Sequence, residues 1–392
     1  MVILGIYIGV KRETTKEPRH YFSRDEKYIL VDILSHLVVP LARYLVADMH
    51  QDISYAIKTG GFDPSANKDL AVTFDKDIPG RHGDIPKYIA GGVKLVFGAI
   101  FPGREFWSPA ILERLERLYG SWHGSTVPIL GSLEDVIEHI SIYRSLVRRY
   151  RDRLALISRP GDLDRLVGSD RIGILISLEG ADPISRLEDL EILWLLGVRS
   201  LTITWNYDNR YASSCRSKKD YGLTEDGEEL VRIANSLGII LDISHAGRRT
   251  ALDVISASKL PVIASHSNYA AIHRHMRNVD DEILEGIKRV GGVVGFTMIT
   301  STIGEKPSID SLARHIIEVW RRYGSDVLAI GTDYFGIERT PEGLEDISRI
   351  PRLFERLAEM GMGDNDLRKL GWENVERVIK AHEQRWKEDL GV

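Results

Sequence analysis

The sequence predicts an α/β protein, a (β/α)8 TIM-type barrel, and three observations support this prediction. Eight short apolar runs recur along the chain, and segments with helical periodicity separate most of them. The runs are almost continuously apolar, as expected for parallel strands that are covered on both faces. Metal-ligand side chains follow five of the runs, and in such a barrel all strand ends open on one face. A doubly wound open sheet is the alternative.

The composition fits one large globular domain. The chain has 392 residues, of which 43% are hydrophobic and 28% are charged, and these fractions are ordinary for a soluble protein. This length accommodates a barrel of ~250 residues with insertions. The net charge of −5 gives no electrostatic reason to expect nucleic acid or an acidic membrane surface as a partner.

Two features bear on the compartment and the assembly of the protein. Cys215 is the single cysteine, which excludes an intrachain disulfide and fits a reducing compartment, so we expect a cytoplasmic location. The apolar segment Met1–Val10 is far shorter than the ~20 residues of a membrane span, so we expect an added strand or a packed arm rather than a signal. The arm can pack on its own barrel or on a neighbouring subunit, and the second arrangement would be a homodimer.

The predicted elements divide the chain into an extension and a barrel. Residues 1–43 form the N-terminal extension, which contains the apolar arm and a helix within Tyr28–Leu41. Residues 44–392 form the barrel and its C-terminal helices. Strands are predicted at 44–48, 93–99, 172–178, 198–204, 238–244, 260–265, 292–298 and 327–332. The stretch Phe101–Arg171 after the second strand is longer than one crossover needs, so extra helices are expected there.

Helices are predicted where apolar positions recur with helical spacing. These segments are Leu133–Leu154, Leu187–Leu196, Glu225–Leu237, Asp281–Val290 and Ser311–Tyr323. Thr224 precedes one of them as a typical N-cap, and acidic residues follow it in the first turn. Gly238 is expected to end the same helix before the next strand begins.

Six side chains at five predicted strand ends have the chemistry of metal ligands. They are His50 and Asp52 after the first strand, Glu179 after the third, His245 after the fifth, His266 after the sixth and Asp333 after the eighth. In a barrel these groups would converge on one face. Imidazole nitrogens and carboxylate oxygens suit zinc or a similar divalent ion. A carboxylate such as Glu179 has two oxygens and can bridge two cations.

Each of these residues also has an ordinary structural interpretation. His245 and His266 could be hydrogen-bonded core histidines, Glu179 could belong to a buried ion pair, and Asp333 could cap a helix. The repetition at several strand ends favours a shared site over these separate interpretations. Within that site Asp333 is a better candidate for proton transfer than for metal binding. A nearby carboxylate can take a proton from a metal-activated water and pass it to a leaving amine.

Several motifs resemble those of the renal (membrane) dipeptidase family, binuclear zinc peptidases with amidohydrolase-like barrels. The matching stretches include Asp48-Met49-His50-Gln51-Asp52, Ser177-Leu178-Glu179-Gly180, Ile243-Ser244-His245, Ser265-His266-Ser267 and Ile330-Gly331-Thr332-Asp333. The resemblance implies a metallo-dipeptidase that hydrolyses small dipeptides with a hydroxide held by two divalent metal ions, zinc first among them. Manganese, cobalt or iron could also occupy such ligands.

The resemblance also implies a role for each residue of the site. One metal would be held by His50, Asp52 and Glu179, and the second by Glu179, His245 and His266. Asp333 would be the proton shuttle. Arg277 matches the position that binds the substrate carboxylate, and a guanidinium can grip a free peptide C-terminus through two parallel hydrogen bonds. The alternative for Arg277 is an ion pair with Asp280 or Asp281.

Trp205 departs from the family pattern. Dipeptidases of the family carry a His directly after Leu-Thr-x-Thr, where it contacts the substrate, and Trp205 stands at that position. Indole has one N–H donor and neither acceptor nor charge, so an amide or ester hydrolase with a non-peptide substrate is the second hypothesis. A non-catalytic metal-binding barrel is the third. Asn206 begins a polar stretch that we expect to shape the pocket, so Trp205 and Asn206 are both predicted to contact the substrate.

Overall fold

The computed structural model describes residues 43–102 and 131–386, and within them the core of the molecule is a parallel sheet. Its strands are β1 (Val46–Gln51), β2 (Val93–Ile100), β3 (Leu154–Leu156), β4 (Ile172–Glu179), β5 (Val198–Thr202), β6 (Ile240–Asp242), β7 (Ile263–Ala264), β8 (Val293–Phe296) and β9 (Leu328–Ile330). Every residue of β1 and β4 is buried, as expected for strands that are covered on both faces.

The sheet closes on itself, which confirms the (β/α)8 barrel. β1 pairs with β2 on one side and with β9 on the other, where Asp48 lies opposite Ile330. β2 pairs directly with β4, and the remaining strands follow in sequence order up to β9. The short β3 pairs with the first residues of β4, whereas β5 pairs with the last residues of β4. β3 is therefore an addition to a ring of eight strands.

Helices connect the strands and cover the outside of the ring. They are α1 (Ile53–Thr59), α2 (Pro64–Asn67), α3 (Ile85–Gly91), α4 (Leu133–Arg149), α5 (Asp162–Val167), α6 (Asp189–Leu195), α7 (Glu225–Leu237), α8 (Arg248–Ala257), α9 (Asp281–Arg289), α10 (Thr300–Ile303), α11 (Ile309–Tyr323), α12 (Ile350–Glu359), α13 (Asp364–Arg368) and α14 (Asn374–Glu383). Short 3-10 turns occupy Leu70–Val72, Ser325–Val327 and Ile347–Arg349, and a π-helical turn occupies Lys369–Glu373.

The helix predictions are largely confirmed. α7 has the predicted bounds, the Thr224 hydroxyl accepts a hydrogen bond from the Gly227 N–H, and Gly238 ends the helix in the left-handed conformation. α4 ends at Arg149, whereas the prediction extended it to Leu154. The N–H groups of Arg153 and Leu154 both donate to the Tyr150 carbonyl in a turn, and Leu154 then begins β3.

The predicted strand ends differ from those of the structure by one to three residues, and two of these differences have identifiable reasons. β1 runs to Gln51, so His50 lies inside the strand rather than after it. β6 ends at Asp242, because its carboxylate accepts hydrogen bonds from the N–H groups of Ser244 and Ser265, at 2.9 and 2.8 Å. These bonds replace the ladder that would have continued β6 and β7.

The extension at residues 1–43 lies almost wholly outside the described residues, as do positions 103–130 of the long segment after β2. The described part of that segment, from position 131 onward, contains α4, β3 and α5, so the prediction of extra helices after the second strand is confirmed there. Among the described residues, no helix is both long enough and apolar enough to cross a membrane.

Candidate active site

The carboxyl ends of the barrel strands bring all six predicted side chains into one cluster. Glu179 is the last residue of β4, and His266 follows β7 by two residues. Every member is buried. Ligand atoms lie within 4.8 Å of one another in three groups: His50, Asp52 and Glu179; Glu179, His245 and His266; and His50, His266 and Asp333. The first two groups are the same sets that the family resemblance implies.

Glu179 lies between these two groups and turns a different oxygen toward each. Its Oε2 is 3.6 Å from His50 Nε2, and that nitrogen is also 3.6 Å from Asp52 Oδ2. Its Oε1 is 3.0 Å from His245 Nε2 and 3.6 Å from His266 Nε2. In this position Glu179 could contribute to the binding of two divalent cations.

The nitrogen and oxygen atoms of the cluster fit divalent cations. Both ring nitrogens of His50 and Oδ1 of Asp52 are buried, and none has a hydrogen-bond partner among the described residues. His245 Nε2 and His266 Nε2 face each other at 3.0 Å. Burial, assisted by Arg277, lowers the pKa of His245 to about 4, and burial also holds the pKa of His266 well below its usual value. Neutral imidazole nitrogens are the form that ligates a metal.

Hydrogen bonds outside the cluster fix the orientation of the two histidines. His245 Nδ1 is 2.8 Å from the Asn206 side-chain oxygen. His266 Nδ1 is 2.7 Å from the Ser265 hydroxyl, which donates in turn to Asp242 at 2.6 Å. Such partners set the tautomer and direct the opposite nitrogen, Nε2, into the site. Asn206 thus lines the pocket as predicted and also holds a histidine in place, a contact that the sequence alone did not indicate.

Asp333 lies beside the first group in a constrained backbone conformation. Its φ of 65° is left-handed, and its N–H donates to the His50 carbonyl at 3.0 Å. Its Oδ1 is 3.9 Å from His50 Nε2. Within the described chain no helix begins at Asp333, so the helix-cap interpretation is wrong. Burial raises the pKa of Asp333 well above its usual value, and Asp52 and Glu179 add to the effect although His50 opposes it.

Arg277 faces the same pocket with a partly unsatisfied guanidinium. It is 9% exposed, its Nη2 donates to the His266 carbonyl at 3.4 Å, and its Nη1 has no partner within the described ranges. The alternative ion pair is wrong, because Asp280 pairs with Arg248 and Asp281 with Arg322. A buried guanidinium with a free donor is suited to an anionic group of a ligand.

A cavity of about 620 Å³ opens above the cluster. Arg277, Arg216, His275 and Met276 belong to its lining. Four aromatic side chains, Tyr55, Phe62, Phe101 and Trp205, line it as well. Of these four, only Trp205 was predicted from the sequence to contact the substrate. Tyr55, Phe62 and Phe101 belong to no recognisable motif, and only the folded chain brings them to the cavity.

A buried cluster of imidazoles and carboxylates at the carboxyl end of a parallel barrel is the arrangement of a metal-dependent hydrolase. The chain belongs to one family of that class, the membrane dipeptidases (peptidase family M19), whose family model matches residues 39–389. The family that the motifs indicated is thereby confirmed.

Known relatives agree with this assignment. Dipeptidase verJ of Clonostachys rogersoniana is 31% identical over 363 residues, which are 91% of this chain and 89% of that protein. Dipeptidase tcpJ of Claviceps purpurea is 28% identical over 318 residues, or 79% of this chain and 71% of that protein. A metallo peptidase from Rhodobacter sphaeroides, solved with a phosphinate mimic of the dipeptide L-Ala-D-Ala, has a TM-score of 0.74 at 22% identity and covers 86% of this chain and 99% of its own. The structural match supports the barrel fold.

Proposed function

We propose that this protein is a dipeptidase that hydrolyses small dipeptides at a centre of two divalent metal ions, with zinc as the first candidate. The observation that carries the proposal is the position of Glu179 between two groups of ligand atoms, with one oxygen directed at each. His50 and Asp52 would complete one ion's ligands, and His245 and His266 the other's. When bound, the two cations supply Lewis acidity toward the scissile carbonyl and make a water easier to deprotonate.

The protein side chains then have separate tasks. Arg277 binds the carboxylate of the C-terminal residue and thereby holds the scissile amide over the cluster. Asp333 takes the proton from the attacking water and delivers it to the departing amine, which requires a carboxyl group that can exist in both forms near neutral pH. Its position supports this task, because Asp333 Oδ1 lies 3.9 Å from His50 Nε2 at the edge of the cluster.

A second candidate function is hydrolysis of a related amide or ester that is not a dipeptide. One observation favours it: Trp205 lines the pocket at the position where dipeptidases of the family carry a His. An indole in van der Waals contact with the substrate cannot replace the imidazole as a hydrogen-bond acceptor or as a cation. Arg277 would still require an anionic group on such a substrate.

The test is hydrolysis of a dipeptide panel, with L- and D-residues at the C-terminal position, by metal-reconstituted and chelator-treated protein. We expect cleavage only with metal, together with two ions per chain by elemental analysis. Glu179→Gln should lower the metal content, whereas Glu191→Gln, on the exposed face of α6, should not. Two bound ions without cleavage of any dipeptide would exclude the dipeptidase proposal and favour the second candidate.

We also propose a cytoplasmic location, which the single Cys215 supports, and a homodimer that uses the N-terminal extension. Fractionation of the source cells tests the location. Light scattering on the full chain and on a chain that lacks residues 1–40 tests the dimer. If both proteins have the same number of chains per particle, the extension has no role in assembly.

A further inference from the structure

We infer that the aromatic part of the cavity is a subsite for a large aromatic or apolar side chain on the N-terminal residue of the substrate. The inference rests on the proposed function, from which it takes the positions of the substrate carboxylate and of the scissile amide. We define the aromatic wall as Tyr55, Phe62, Phe101 and Trp205.

The aromatic wall is continuous from the mouth of the cavity to the metal ligands. The ring centroids of Phe62 and Tyr55 are 6.1 Å apart, those of Tyr55 and Phe101 are 5.9 Å apart, and those of Phe101 and Trp205 are 4.9 Å apart. Trp205 in turn lies 5.9 Å from the ring of His245. These separations are typical of interacting aromatic rings. Phe62, at the outer end, is 53% exposed, so this end of the wall can accept an additional ring.

The order of the strands places Tyr55, Phe62 and Phe101 on the side of the barrel away from Arg277, and Trp205 on a strand between the two sides. Tyr55 and Phe62 follow β1, Phe101 follows β2, and Trp205 follows β5, which are strands of one half of the ring. Arg277 contacts the His266 carbonyl at the end of β7, and β7 lies four strands from β2 in either direction around the ring of eight. The ligand cluster occupies the space between the two sides.

This arrangement sets the direction of a bound dipeptide. With its carboxylate on Arg277 and its scissile amide beside Glu179, the C-terminal residue lies on the β7 side. The N-terminal residue must then extend toward β1, β2 and β5, where its side chain meets the aromatic wall. An aromatic side chain placed there loses water from a large apolar surface and gains ring contacts. A methyl group is too small to cover the wall.

The first experiment compares Phe-Gly, Ala-Gly, Gly-Phe and Gly-Ala as substrates of the metal-reconstituted protein. The C-terminal glycine of Phe-Gly and Ala-Gly removes the stereochemistry of the second residue, and Gly-Phe and Gly-Ala are each used with both the L- and the D-residue. We expect kcat/KM for Phe-Gly to exceed that for Ala-Gly by about tenfold or more, because burial of a ring rather than a methyl group contributes a difference of that order. Gly-Phe should show no comparable gain over Gly-Ala.

Variants test whether the wall causes this selectivity. Phe62→Ala and Phe101→Leu should each lower the ratio of kcat/KM for Phe-Gly to that for Ala-Gly, by about threefold or more. Leu195→Ala is the matched control, because Leu195 is 56% exposed and lies on α6 at the outside of the barrel. Calorimetric binding of phosphinate analogues of Phe-Gly and Ala-Gly provides a second readout that does not depend on turnover.

The outcomes separate this inference from the proposed function. Cleavage of Ala-Gly and Phe-Gly with equal kcat/KM would overturn the subsite and leave the dipeptidase proposal intact. A gain for Gly-Phe instead of Phe-Gly would overturn the direction of binding. A third outcome is that no dipeptide is cleaved, the Phe-Gly analogue binds more tightly than the Ala-Gly analogue, and Phe62→Ala weakens that binding. This outcome would overturn the dipeptidase proposal and support the aromatic subsite. Equal binding of both analogues without cleavage would overturn both.

Discussion

Asp333 is the residue whose proposed role can be isolated most cleanly. Asn has nearly the same shape as Asp but cannot carry the transferred proton, so Asp333→Asn should fold and retain both metal ions. We expect kcat to fall by about 10²–10⁴, the usual contribution of a general acid–base group. Steady-state kinetics together with metal analysis would measure this effect. A metal-loaded variant that hydrolyses at the wild-type rate would exclude Asp333 as the proton carrier.

Trp205 gives a second prediction at the scale of one residue. Trp205→His restores the residue that the family carries there and supplies a donor that can stabilise developing negative charge. We expect kcat for Ala-Gly to rise about tenfold or more, while the preference for Phe-Gly over Ala-Gly falls. Kinetics of both substrates on a variant with unchanged metal content would decide the matter. If kcat stays the same, the position does not contact the reacting atoms in this protein.

The site residues differ in how far the sequence could predict them. The ligands could be found because each lies at or just beyond the end of a recognisable apolar strand. The left-handed φ of 65° at His245 and at Asp333 could not be predicted from the sequence, because it results from the turns by which the chain leaves the strands. The positions of Tyr55 and Phe62 in the aromatic wall could not be predicted either, because only the closed barrel brings β1 and β5 to one side of the cavity.

At the scale of elements, buried His315 connects α11 to two neighbouring segments. Its Nδ1 accepts the Tyr269 N–H at 3.1 Å, and its Nε2 is 3.0 Å from the Ile303 carbonyl, to which it donates. Tyr269 belongs to the loop between His266 and Arg277. Burial lowers the pKa of His315 to about 4, and a proton on Nδ1 would remove the acceptor that holds this loop.

This environment makes the stability of the fold depend on pH. The pKa of His315 is about 4 in the folded chain and ~6.5 in the unfolded chain. Above pH ~6.5 the ring is neutral in both states, so it does not change the free energy of unfolding with pH. As the pH falls from ~6.5 toward 4, the ring binds a proton in the unfolded chain but not in the folded one, so the free energy of unfolding decreases. Urea unfolding of chelator-treated protein at pH 7.5 and pH 5 would measure the total loss, to which other largely buried histidines with lowered pKa values, His82, His139 and His382, also contribute.

Substitution of His315 should make the free energy of unfolding less dependent on pH. In His315→Gln the fall in unfolding free energy between pH 7.5 and pH 5 should be smaller than in the wild type, by on the order of 1 kcal/mol. His273→Gln, at a partly exposed position of the same loop, is the matched control for the loss of an imidazole. Identical pH dependence in His315→Gln and wild type would show that His315 is not the responsible group.

The elements themselves show where local sequence signals fail. The bounds of α7 could be predicted because Thr224 and Gly238 mark them with side-chain and backbone chemistry. The end of α4 could not, since apolar spacing continues into Leu154 although the backbone of that residue pairs with Ile172 in β4. β7 is shorter than its apolar run because Asp242, distant in sequence, accepts the Ser265 N–H.

At the scale of the whole molecule, bound metal should stabilise the barrel. The ligands come from strands around the ring, and ions that bind the folded state alone stabilise it by ~2.7 kcal/mol at a concentration 100 times Kd. We therefore expect the chelator-treated protein to unfold several degrees below the zinc-loaded protein in calorimetry. Glu179→Gln, which removes the carboxylate shared by both groups of ligands, should abolish most of this difference. A thermal midpoint that is independent of metal would argue against binding at the cluster.

The backbone bond between Asp333 and His50 has a consequence for the order of assembly. It joins residues that are 283 positions apart (333 − 50), at the place where β9 meets β1 and the ring closes. During synthesis on the ribosome, every metal ligand from His50 to His266 emerges before Asp333 does. Asp333 is therefore the last of these side chains to be synthesised, and catalytic competence arrives only with the completed ring. A chain with hydrolytic activity must therefore have been translated beyond β9 and must have closed the ring.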